Sequence, residues 1–134
     1  MNREKLKELY EKYNLTKDDV FKHQHYVIIT RTGIEKIEAQ EYIEINYKPI
    51  KVEPNFAVIQ AFGTLADKEM QTFGSALKGA TFKEGNTNSW YVTEMAEKRA
   101  FSRIVLKLTG FYALGVFGED ESEDFKKKIN IIKQ

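Results

Sequence analysis

Residues 90–110 read WYVTEMAEKRAFSRIVLKLTG, and this stretch decides the fold. At about 100° per residue, Ala100, Ile104 and Leu108, with Phe101 and Val105, fall on one broad apolar face. No proline interrupts the run, and Gly110 supplies the stop that helix C-termini favour, so the spacing predicts a helix over roughly 91–110. Arg99, Arg103 and Lys107 recur at intervals of four and form a stripe beside that face. One reading of the stripe is a solvated face with pairs such as Glu94 to Lys98, each worth a few tenths of a kcal/mol. The other is a phosphate-binding ridge, because planar guanidinium forks match phosphate oxygens. Glu97 is expected to project toward the apolar face, and both Glu94 and Glu97 to interact with the positive end of the helix.

Upstream, Ile43 to Val52 alternates Ile43, Ile45 and Tyr47 with Glu44, Asn46 and Lys48, the pattern of a half-buried strand closed by Pro54. Phe56 to Leu65 is apolar on both alternating sets, which suits a central strand buried on both faces. A further strand near Met70 to Ala76 follows the polar turn Asp67-Lys68-Glu69. The segment YVIIT at 26–30 is β-branched and aromatic and reads as another strand. RTGIEKIEAQEY after it is open between helix and turn. Leu6, Leu9, Tyr10 and Tyr13 lie at helical spacing in 2–13, and Thr16 with Asp19 reads as the start of a short helical turn to about Lys22. KGATFKEGNTNS at 78–89 is a long polar loop, of the kind that is functional or mobile. A last charged helix is expected from about Ser122 to Ile132.

These elements give one α+β domain: a small antiparallel meander of three or four strands packed on one long helix, with N- and C-terminal helices. Residues 1–24 form an N-terminal arm, 26–112 the core, and 119–134 an acidic segment with the last helix. The length of 134 residues suits one core. With Cys 0, disulfides, thiolate metal sites and a cysteine nucleophile are excluded. The charged N-terminus without an apolar core predicts no signal peptide, and no run reaches the length of a spanning helix, so a cytoplasmic protein without membrane contact is expected.

The formal net charge is +1, so attraction to a polyanion would come from arrangement and not from the sum. Acids concentrate in Glu119-Asp120-Glu121-Ser122-Glu123-Asp124, while Phe73 to Thr109 holds an excess of Lys and Arg. This predicts a basic surface on the body with an acidic segment outside it, either as a solvated linker or as a mimic of nucleic acid.

The meander, the glycine-containing FGSA at 73–76, the polar loop and the helix MAEKRAFSRIVLKLTGFY at 95–112 together resemble the core of the Rad-fifty-two-type single-strand annealing proteins, including phage and mobile-element relatives. The likeness covers roughly 26–112, with a specific match over 73–112. It implies binding of single-stranded DNA in a basic groove, assembly into homo-oligomeric rings or filaments, and pairing of complementary strands in homologous recombination and DNA repair, with no cofactor. By position it carries Arg99, Arg103, Lys107, Lys78 and Lys83 as phosphate contacts. Trp90 and Tyr91, at the mouth of the helix, are candidates to stack on bases, beside the alternative that they pack locally.

Two other readings stand beside this one. An interaction or structural module would use Leu6, Leu9, Tyr10 and Tyr13 for self-association, and pair the 99–107 ridge with a neighbour's acidic block. A metal-dependent nuclease would draw on Asp18, Asp19 or Glu94 with Glu97; separately, His23 and His25 fall on one face if a strand begins there, a pair that could hold zinc. No phosphate-binding glycine loop or nucleophile motif marks the chain as an enzyme.

Overall fold

The computed structural model describes residues 2–81 and 84–121. In chain order its elements are α1 (Arg3–Lys12), β1 (Val20–His23), β2 (Tyr26–Ile29), α2 (Arg31–Glu41), β3 (Glu44–Glu53), β4 (Phe56–Leu65), β5 (Lys68–Leu77), α3 (Val92–Thr109), a 3-10 turn at Tyr112–Leu114, and β6 (Val116–Gly118). The strands form two sheets, an antiparallel meander in the order β3-β4-β5 and a smaller sheet in the order β1-β2-β6. The α+β class and the meander packed on one long helix are thus as the patterning predicts. No described helix is long and apolar enough to cross a membrane.

The registers of the meander put Ala57, Ile59, Ala61 and Gly63 of β4 on the same face as Ala76, Gly74 and Thr72 of β5. This face meets α3. Small residues let backbone approach backbone: a Cβ built on Gly74 would overlap the carbonyl oxygen of Ala96 and the amide nitrogen of Ala100. The glycine of FGSA is therefore where strand and helix touch. Further along α3, Ile104, Val105, Leu106 and Leu108 have no exposed surface, each worth about 1.5–3 kcal/mol of burial. Gly110 closes the helix in the left-handed region at φ 90°.

The opposite face of the meander corrects the expectation of a strand buried on both sides. Phe62 and Phe73 are 39% and 46% exposed there, with Leu77 beside them, and nothing among the described residues covers them. β3 is likewise exposed over most of its length, since α3 packs chiefly on β4 and β5. A bulge between Pro49 and Lys51 bends this edge strand, and proline and lysine there discourage sheet-to-sheet pairing.

The RTGIEKIEAQE segment is a helix, α2, capped by the Thr30 hydroxyl accepting from the Gly33 amide. The short helical turn expected from Thr16 is instead a turn closed at Asp19, whose carboxylate accepts from the Thr16 amide (2.9 Å) and hydroxyl (3.2 Å); strand β1 begins at the next residue. α1 packs on the body of its own chain through Leu6 and Tyr13, with Tyr13 against Phe111 at 5.9 Å between ring centres, so these two side chains are not free for self-association. Residues 119–121 are helical, and the expected C-terminal helix beyond them lies outside the described residues.

Asp19 is buried and receives Lys36 Nζ at 2.7 Å. Burial pushes its carboxyl up, but the hydrogen bonds from Lys36 and Thr16 outweigh this and hold it below the ordinary 3.8. A depressed folded-state pKa stabilises fully above the unfolded value and is lost as pH falls through the folded one. The difference in urea midpoint between wild type and Asp19→Asn is therefore expected to be constant from pH 7 to about 5 and to shrink below pH 4. A difference equally large at pH 3 would contradict this assignment.

Candidate nucleic-acid interface

Arg99 and Arg103 project from α3 toward the outer edge of β5. An edge strand presents backbone carbonyls with no neighbouring strand to pair them, and these two guanidiniums fill that role. Arg99 Nη1 donates to the Ser75 carbonyl (2.8 Å), Nη2 to the Asn86 carbonyl (3.0 Å) and Nε to the Asp120 carbonyl (3.2 Å). Arg103 Nη1 donates to the Phe73 carbonyl (2.9 Å), and its Nε pairs with Glu121 Oε1 at 2.6 Å.

This geometry corrects the solvent-facing ridge. Arg99 is only 3% exposed and is committed to three carbonyls, so it is a clip joining β5, the 78–91 loop and the C-terminal segment. Arg103 is partly exposed but paired. Lys107 is half-buried with Nζ 5.5 Å from the Tyr112 ring centre. The first acids of the block do not stand outside the body either. Glu119 accepts from the Arg31 amide, Asp120 accepts from Arg31 Nη1 and the Ser102 hydroxyl, and Glu121 is buried beside Arg103. Residues 122–124 lie outside the described residues.

At the other end of α3 the structure leaves an exposed aromatic pair. Trp90 is 77% exposed, so it packs in no core, and it meets Tyr91 edge-on with ring centres 5.6 Å apart. Lys98 Nζ lies 5.9 Å from the Tyr91 ring centre, close enough for cation–π attraction. Glu94 and Glu97 are exposed on the same helix face, so the expectation that Glu97 turns inward is corrected. These two carboxylates limit how far Lys98 alone attracts a polyanion.

The loop leading to this pair is built rather than slack. Lys78 donates its amide to Asn55 (2.7 Å), Gly79 to Thr87 (2.9 Å), and the Asn86 side chain accepts from the Leu77 amide (2.7 Å). Asn55, Lys78, Gly79, Ala80 and Asn88 line an open cleft of about 270 Å³. Asn88 is two residues before Trp90, so the cleft and the aromatic pair are neighbours in the chain, and Lys78, which lines the cleft, is exposed. Of the residues marked by sequence, Lys78 therefore lines the cleft, Trp90 and Tyr91 stand at the start of α3, Arg99 and Arg103 belong to the β5 edge, and Lys107 to the far end of α3. Lys83 lies outside the described residues. Lys98 and Asn88 are additions; the i+7 spacing of Lys98 from Tyr91, two helical turns, was the available signal.

The two histidines do not share a strand face, because His23 ends β1 and His25 follows a turn in which Gln24 has φ 58°. Among the described residues no group of His, Asp and Glu is arranged to hold a metal ion. No family model, curated protein or solved structure matches this chain.

Proposed function

We propose that the chain binds single-stranded DNA and anneals complementary strands, working without a nucleotide cofactor and as a homo-oligomer in phage or bacterial recombination. The observation that supports this best is the exposed Trp90–Tyr91 pair, held at the start of a rigid helix beside Lys98 and neighbouring in the chain a polar cleft lined by Lys78. A single strand offers stackable base faces with a phosphate at every step, and aromatic platforms flanked by lysines bind it without reading sequence. Arg99 and Arg103 support this site by fixing the loop to the sheet and are not themselves assigned to phosphates. The likeness of 73–112 to annealing proteins points to the same class.

Trp90 is the chain's one tryptophan, so its emission reports the site directly. Titration with an unlabelled oligothymidine is expected to quench it saturably, with affinity falling as salt rises by a log–log slope of about −0.7 for each phosphate neutralised. Binding should survive EDTA. Unchanged emission at 20 mM salt with excess oligonucleotide would refute the site.

A second reading, an interaction module with no nucleic-acid activity, is favoured by the open face of the meander, where Phe62, Phe73 and Leu77 stand exposed. Under that reading the oligonucleotide leaves Trp90 untouched, whereas Phe62→Ser with Phe73→Ser changes the mass of the assembly.

A further inference from the structure

A cavity lies away from that interface, between α1 and the β1–β2 hairpin, with a volume of about 630 Å³. Its floor is apolar and aromatic: Leu6 and Tyr10 from α1, Leu15 from the following turn, and Phe21 and Val27 from the hairpin. Around it stand Arg3, Lys7, Lys17 and Lys22, all exposed, and no carboxylate lines it. None of these four cations is in an ion pair among the described residues, although ion pairs are frequent elsewhere in the chain. The fold creates the ring deliberately. Asn14 at φ 54° reverses the chain after α1, and the Thr16–Asp19 turn then carries Lys17 to the pocket that Arg3 and Lys7, one helical turn apart, already border.

An apolar floor inside an unpaired cationic ring fits a peptide that presents adjacent carboxylates followed by a large apolar side chain. A bare phosphate would leave the floor unused. The chain carries such a segment in Glu123-Asp124-Phe125. The acids just before it are engaged by their own subunit, through Arg31, Ser102 and Arg103, whereas these two follow the anchored Glu121. Glu121 is anchored on the β5 side of α3, and β2 stands between β6 and the pocket-bearing β1. The four residues from Glu121 to Phe125 reach at most about 14 Å. We propose that the pocket of one copy takes the Glu123-Asp124-Phe125 segment of a second copy, giving a head-to-tail contact that repeats along an assembly.

The contact is independent of DNA, so it can fail while the nucleic-acid reading stands, and the reverse. The test uses a fluorescein-labelled peptide of residues 119–125, EDESEDF, titrated with the full chain carrying Phe125→Ala, whose pocket has lost its competing segment. Saturable binding is expected, reduced at least tenfold by adding Lys7→Glu with Lys17→Glu, and reduced similarly when the peptide ends in alanine. Both lysines are exposed, so the charge reversals leave the fold in place. In sedimentation, Phe125→Ala and the double lysine variant should each be lighter than wild type at equal concentration, and an equimolar mixture of the two should regain a joined species. No peptide binding, or binding indifferent to the lysines, overturns the pocket assignment. Peptide binding with a wild-type mass that neither variant changes overturns the second copy as occupant, because the segment then folds onto its own pocket. Competition by oligothymidine but not by excess unlabelled peptide overturns it in favour of nucleic acid.

Discussion

Alanine at both Trp90 and Tyr91 is expected to weaken binding of single-stranded DNA by about two orders of magnitude while leaving thermal stability close to that of wild type. Each aromatic stack on a base contributes about 1–3 kcal/mol, and 1.4 kcal/mol is tenfold in affinity, so the loss of two rings gives roughly a hundredfold effect. Stability should hold because Trp90 is largely exposed and contributes no hydrogen bond to the start of α3, and the Tyr91 carbonyl that receives the Met95 amide is kept in the variant. Binding is read by anisotropy of a labelled oligothymidine, since the variant has no tryptophan to report. The salt slope should be preserved, because lysines and not rings release counterions. Wild-type affinity in the double variant would remove the stacking platform from the account. A flattened salt slope with modest loss would instead assign the rings to positioning Lys98.

How much of this was legible in the sequence depends on the range of the interaction concerned. Helix α3 and the meander announce themselves locally: apolar residues at 100, 104 and 108, a glycine after Thr109, and alternation from Ile43 onward all act within one element. The smaller sheet does not. β6 is three residues long and pairs in parallel with β2 nearly ninety positions earlier, so no periodicity marks it. The aromatic pair was readable as a candidate from position alone, but whether Trp90 packs or stays exposed depends on what surrounds it, which no local pattern encodes.

The basic stripe shows the same limit in a sharper form. Arg99, Arg103 and Lys107 look identical in sequence whether they face solvent or the carbonyls of a strand edge, because spacing defines a helix face and not its neighbour. The hint that was missed lies in β5. As the last strand of the meander it must leave an edge of unpaired carbonyls, and the nearest long donors are those on the helix that follows it. In sequence the acidic block likewise reads as a detached run, whereas Asp120 and Glu121 complete the polar layer between α3 and the sheet.

That layer makes Arg99→Ala a stability variant first. The guanidinium brings together carbonyls of three segments: Ser75 on β5, Asn86 in the loop and Asp120 in the C-terminal segment. Hydrogen bonds from a charged donor contribute about 1.5–3 kcal/mol each, and stranding partly buried carbonyls adds their desolvation cost. The terms share one side chain and so are not additive; a total of about 3–5 kcal/mol is expected, lowering Tm by roughly 10–20 °C at this chain length. Arg99→Lys should recover only part of this, because one ammonium cannot reach three divergent acceptors as a planar fork does. Lys107→Ala is the control on the same helix: its ammonium lies over the Tyr112 ring, a contact worth under about 1 kcal/mol at such a site. If Arg99→Ala melts with wild type and only DNA binding falls, the guanidinium is a phosphate ligand and the clip is wrong. If Tm falls and the folded fraction still binds DNA with a salt slope like that of wild type, the cations that hold phosphate lie elsewhere, at Lys78 and Lys98.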